Sequence, residues 1–133
     1  MIILLGGTFD LFHIGHLRIL ESAKKIAEKL NGILVVDVLT DEAVERYKRK
    51  PIIPFEQRCE IVKKFADIVV PSNDVDATPL LEMIKPDVLI HGSDALPHEM
   101  EWLKKHKTKL IILPYTKGIS TTEIIKKINE ENE

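Results

Sequence analysis

Gly6-Gly7-Thr8-Phe9-Asp10-Leu11-Phe12-His13-Ile14-Gly15-His16 decides how this chain is read. A short apolar run, Met1 to Leu5, precedes it, and an amphipathic helical pattern follows it. Strand, glycine turn and helix in that order make a place where free backbone N–H groups meet a phosphate. His13 and His16 stand at the mouth of the helix and add side-chain donors aimed at the same spot. Gly15 between them lets the backbone approach closely. If the apolar run is the first strand of a parallel sheet, all of this arrives at the sheet's carboxyl edge, where open α/β folds bind ligands.

Working outward, strand and helix signals alternate. The first strand is expected over Ile2 to Leu5 and the first helix from about Ile14 to Leu30. Leu17, Leu20, Ala23, Ala27 and Leu30 give that helix one apolar face, and Gly32 is read as its stop signal. Ile33 to Leu39 reads as a buried strand whose one polar interruption is Asp37. Thr40-Asp41-Glu42 has the hydroxyl and carboxylates of a helix start. Pro54 opens another helix, and Asp67 to Pro71 is a third strand. Thr78-Pro79 begins a helix that ends before Pro86. Val88 to Ile90, a helix from Pro97 to His106, the strand Lys109 to Leu113 and a last helix after Gly118-Ile119-Ser120-Thr121-Thr122 complete the series. The alternation predicts one α/β domain over residues 1–133: an open parallel sheet of about five strands with helices on both faces.

Composition narrows the function. A net charge of −2 gives no electrostatic basis for nucleic-acid binding, so any phosphate recognition has to be local. Cys59 is the only cysteine, which excludes an intrachain disulfide and a multi-cysteine zinc site. No stretch approaches the roughly 20 apolar residues of a membrane span, and the N-terminal apolar run is too short for a signal peptide, so a soluble cytoplasmic protein is expected.

Three further groups bear on chemistry. Ser120, Thr121 and Thr122 place three hydroxyls at a helix N-terminus, more than one cap requires. They offer O–H donors and free N–H groups to an anion, and an ordinary capping box of Ser120 with Glu123 is the alternative. Lys48-Arg49-Lys50 reads as a basic loop that either faces solvent or neutralises phosphate charge, with Arg58 the more pointed candidate because guanidinium suits bidentate phosphate contact. Asp94 follows a glycine at a strand's carboxyl end and either contacts a ribose or acceptor hydroxyl or caps the next helix. His13 and His16 as a metal pair lack an obvious third ligand. A redox dinucleotide site is disfavoured because the turn lacks Gly-x-Gly-x-x-Gly.

Gly7 to His16, together with Gly118 to Thr122, resembles the two signatures of the cytidylyltransferase-like nucleotidyltransferase superfamily, and the resemblance covers essentially the whole chain. Length and the Gly-Ile-Ser-Thr-Thr wording are similar to the glycerol-3-phosphate cytidylyltransferase branch. Asp76 to Asp94 is similar to the adenylyltransferase module of ADP-heptose synthesis. Ala95 stands where the cytidylyl branch usually has tryptophan, and Tyr115 where it carries arginine; both departures weaken the case for CTP.

The resemblance implies a Rossmann-like fold. It also implies transfer of a nucleoside monophosphate from ATP or CTP, with Mg²⁺, to a phosphorylated small molecule such as a sugar or polyol phosphate, releasing pyrophosphate. A homodimer with no nucleic-acid or membrane partner goes with it. On this reading His13, His16 and Arg58 are catalytic and Asp10 touches the acceptor. The nucleotide is held by Gly7, Thr8, Phe9 and Gly15, by Lys48 and Lys50, by Gly92, Asp94 and Tyr115, and by Gly118, Ile119, Ser120, Thr121 and Thr122. A regulatory nucleotide-binding module without catalysis, and a flavin or phosphopantetheine adenylyltransferase of the same superfamily, are the alternatives.

Overall fold

The computed structural model describes residues 1–92 and 96–131. Five strands form its sheet: β1 (Ile2–Gly7), β2 (Ile33–Leu39), β3 (Ile68–Ser72), β4 (Val88–His91) and β5 (Lys109–Ile112). Six helices alternate with them: α1 (Ile14–Lys29), α2 (Asp41–Glu45), α3 (Phe55–Val62), α4 (Thr78–Ile84), α5 (Pro97–Lys105) and α6 (Thr121–Glu131). All strand pairs are parallel, in the order β3-β2-β1-β4-β5. The expected Rossmann-like α/β sheet is therefore present, and no described helix is long and apolar enough to cross a membrane.

The strand order places the site. The direction in which successive strands are added reverses between β1 and β4, because β1 leads to a helix on one face of the sheet and β4 to a helix on the other. The crevice at such a switch point opens beyond the carboxyl ends of those two strands. On one face Ile3, Leu5, Val36 and Val38 pack against Leu20, Ala23 and Ala27 of α1 and Val62 of α3. On the other, Leu4, Val35 and Leu89 pack against Leu81 of α4 and Trp102 and Leu103 of α5. Full burial of a leucine such as Leu20 contributes roughly 1.5–3 kcal/mol, so this stripe fixes how α1 lies on the sheet.

Two local expectations change. Gly6 and Gly7 are paired strand residues, in register with Asp37 and Val38, and do not form the turn. The chain turns instead at Phe9 and Leu11, which adopt left-handed backbone at φ 56° and 47°. Gly6 serves a different purpose. A Cβ there would fall 2.5 Å from Asp37 Oδ2, so the missing side chain makes room for a buried carboxyl. At the far end of α1, left-handed Asn31 (φ 55°) stops the helix ahead of Gly32, and Leu30 is its exposed cap, not part of its packed face.

Candidate functional site

A cavity of about 1040 Å³ opens at the switch point. Its walls include Gly7, Thr8, Phe9, His13, Gly15 and His16 from the first motif and Ile119 to Thr122 from the second. The two segments touch directly: Thr121 Oγ1 donates a 2.6 Å hydrogen bond to the carbonyl oxygen of Asp10. Motifs 111 residues apart in sequence thus share one cleft.

His13 is the N-cap of α1, with extended backbone. Its Nδ1 accepts the Gly15 N–H at 3.0 Å, while Nδ1 of His16 accepts the His13 N–H at 3.2 Å. Each ring thereby satisfies one of the free donors at the helix start, in the reciprocal manner of a capping box. The rings stack with centroids 3.8 Å apart. A Cβ on Gly15 would lie 2.8 Å from His13 Cε1, so glycine is what lets the His13 ring fold over the backbone.

An Nδ1 that accepts carries no proton, and a neutral imidazole then bears its proton on Nε2. Burial holds the His16 pKa down at about 4, helped by repulsion from His13 and Lys48 and opposed by Asp10. Burial also lowers that of His13. Near neutral pH the cleft therefore presents two neutral N–H donors held by the backbone.

The second motif is partly self-satisfied. Ser120 Oγ accepts the Glu123 N–H at 3.1 Å, as a plain cap would, but keeps its own O–H. The Thr121 proton goes to Asp10, so the expectation of three free hydroxyl donors is reduced to Ser120 and Thr122. Gly118 adopts φ 80°, a conformation suited to glycine, and turns the chain into this segment.

Several candidates stand elsewhere than expected. Arg58 is fully buried and does not line the cleft. Nε donates to Ile53 O (2.9 Å), Nη1 to Thr8 O and Leu39 O (2.8 Å each), and Nη2 to Asp41 Oδ1 (2.6 Å). The guanidinium is occupied by protein acceptors and holds the cleft walls from behind; direct phosphate contact is corrected to a positioning role.

Asp10 is corrected likewise. Its carboxylate accepts the N–H groups of Leu11, Ile52 and Ile53, which ties the basic loop to the first motif and leaves it poorly placed to meet an acceptor. Lys48 lines the cleft, whereas Lys50 is exposed and outside its wall. Gly92 and Tyr115 line the β4–β5 end, where the Tyr115 ring lies across Gly92 and is 72% exposed. Asp94 lies outside the described residues.

Arg49 stands between the two candidate lysines, and nothing in the basic run itself singles it out. It lines the cleft, and its Nε is buried with no hydrogen-bond partner among the described residues. A donor left so is costly unless a ligand meets it. Arg18, Ser22 and Lys25, at spacings of four and three along α1, extend the polar wall, and that helical spacing was visible in the sequence. As for magnesium, the carboxylates lining the cleft among the described residues are Asp10, already tied to backbone, and Glu21. That set fits a hydrated ion carried on phosphate oxygens and does not fit a carboxylate cage.

Comparison with known proteins bears on the family and the fold. The chain matches the family described as cytidylyltransferase-like over residues 4–127. It is 47% identical over 94 residues to the FAD synthase of Methanopyrus kandleri, covering 69% of this chain and 62% of that protein. It is 33% identical to the bifunctional protein HldE of Alcanivorax borkumensis, covering 98% of this chain and 28% of that one. The chain thus spans under two thirds of the length of either relative. Among solved structures, the lipopolysaccharide core biosynthesis protein of Thermoplasma volcanium superposes with a TM-score of 0.70 at 22% identity, over 87% of this chain and 98% of that one, which shows the fold. By motif, strand order and sequence match together, the chain belongs to the cytidylyltransferase-like family.

Proposed function

We propose that this chain transfers an adenylyl group from ATP to a phosphomonoester, with flavin mononucleotide as the acceptor, and releases pyrophosphate. The observation that carries the transfer chemistry is the pair of mutually capped, neutral histidines facing the N-terminal hydroxyls of α6 across one cleft. Adenosine and flavin are supported by the 47% identity to a FAD synthase, since FAD is an adenylylated flavin mononucleotide. A sugar phosphate is the second reading, favoured by the HldE match along 98% of this chain.

In this mechanism an acceptor phosphate oxygen attacks the α-phosphorus in line. The new P–O bond forms as the bond to the β-phosphate oxygen breaks, and that electron pair leaves with pyrophosphate. The acceptor is already anionic, so no base is needed. Catalysis is positioning plus charge stabilisation. His13 and His16 donate Nε2–H to oxygens on which charge accumulates. Ser120, Thr122 and the free N–H groups at the start of α6 hold the far phosphates, and Lys48 and Arg49 neutralise charge from the opposite wall. Mg²⁺ carried on the phosphate oxygens would supply further charge neutralisation, with Lys48 and Arg49 of the cleft wall sharing that task.

Pyrophosphate release is to be measured across ATP and CTP, each with flavin mononucleotide, sugar 1-phosphates and glycerol 3-phosphate. Turnover with ATP and flavin mononucleotide alone is expected. Turnover only with a sugar phosphate would replace the acceptor. Nucleotide binding without release on every pair would make the chain a regulatory module.

A further inference from the structure

A second cluster of ligand-type side chains lies away from the cleft. Asp76, in the turn before α4, meets His98 and Glu99 of the first turn of α5, and one ligand atom from each lies within 4.8 Å of the others. His98 Nε2 is 2.8 Å from Asp76 Oδ1. Helix capping explains part of this. Asp76 Oδ1 accepts from Thr78 N and Oγ1, and Glu99 accepts from Leu96 N and Ala77 N.

Capping leaves two things over. Asp76 Oδ2 has no donor among the described residues. Glu99, only 3% exposed, has no lysine or arginine paired with it among them. A buried carboxylate with no cation beside it is costly, and the component that would complete this group is positive.

We propose that Asp76, His98 and Glu99 form a divalent-metal site of the zinc class. One imidazole nitrogen and two carboxylate oxygens suit Zn²⁺ with its remaining positions filled by water, and the imidazole argues against Mg²⁺ or Ca²⁺. Access is through His98, which is exposed. On binding, Nε2 gives up its hydrogen bond to Asp76, and its proton moves to Nδ1 or to solvent. The ion joins the start of α4 to the start of α5, which follows the β4 end of the substrate cleft. The role is structural and does not depend on the reaction proposed above.

The test uses the full chain, stripped by chelator and without nucleotide, titrated with Zn²⁺ by calorimetry and with Co²⁺ by visible absorption. One ion per chain is expected, with no thiolate charge-transfer band, and a melting temperature raised by roughly 10 °C at about 100 times Kd. His98→Ala is expected to melt as the metal-free wild type does and to lose saturable binding; Asp76→Asn provides a second variant. Absence of saturable binding in the wild type overturns the proposal. So does binding that survives His98→Ala, including the case in which His16→Asn abolishes it and so places the ion at the histidine pair of the cleft.

Discussion

Replacing Asp37 by asparagine is expected to stabilise the protein, by an amount that depends on pH in a definite way. Burial, with a smaller contribution from Glu99, pushes the Asp37 pKa from 3.8 up to about 7, against a lowering from its own backbone N–H. Below pH about 4 the carboxyl is protonated in both the folded and unfolded states, and its ionisation has no effect on stability. Between about pH 4 and 7 the unfolded chain is ionised while the folded chain keeps the proton, so stability falls as pH rises, by about 1.4 kcal/mol per unit. Above about 7 both states are ionised and the loss levels off near 4 kcal/mol.

Asparagine has nearly the same shape and no ionisation, so the difference between the two proteins isolates this effect. For 133 residues the unfolding entropy is about 0.28 kcal/mol/K, and the plateau corresponds to at most about 14 °C in Tm. Thermal melts of both proteins in chelator-containing buffer from pH 4 to 8.5 provide the measurement. The expected difference is close to zero at pH 4 and grows to roughly 5–14 °C by pH 8, in favour of Asn. A difference that does not change with pH, or a less stable Asn variant at pH 8, would refute the burial account of Asp37.

The other predictions concern the cleft. His16→Ala is expected to lower kcat by roughly 10²–10³, because it removes a donor to developing charge, and to lower Tm by only about 2–7 °C through the lost helix cap. With the His16 pKa at about 4, its contribution to the rate is constant from neutral pH down to about 5 and falls below that, as protonation competes for the nitrogen that caps the helix; a kcat profile reports it. Arg49→Gln is expected to raise KM by roughly tenfold or more without loss of Tm, since its Nε has no protein partner to lose; unchanged KM would remove Arg49 from the site. Arg58→Met is expected to cost about 3–5 kcal/mol in urea unfolding, because Asp41 and three carbonyls lose their donor; a stable variant with only a raised KM would return Arg58 to phosphate binding.

The sheet, its helices and both ligand-binding segments were legible because each has a local signature. Leu20, Ala23 and Ala27 show helical spacing, Ile33 to Leu39 shows a buried run, and the Gly118 to Thr122 stretch carries turn and cap residues side by side. What escaped depends on burial of charge, which local pattern does not encode. Arg58 and Lys48 are both cations in or after a basic loop, yet one is at the floor of the fold and the other in the cleft. Asp10 reads as an acceptor contact within a glycine-rich motif, yet its three backbone donors include two that come from residues more than 40 positions away. Left-handed Phe9 and Leu11 were equally hidden, because glycines nearby looked like the natural place for the turn.

The buried guanidinium of Arg58 has an evolutionary corollary. Three of its four bonds end on main-chain carbonyls, at positions 8, 39 and 53, and every amino acid supplies a carbonyl. The anchor therefore places no demand on which side chains occupy those positions. Descendants of this chain are free to exchange the residues that choose an acceptor while the scaffold beneath stays in place, provided the arginine itself is kept.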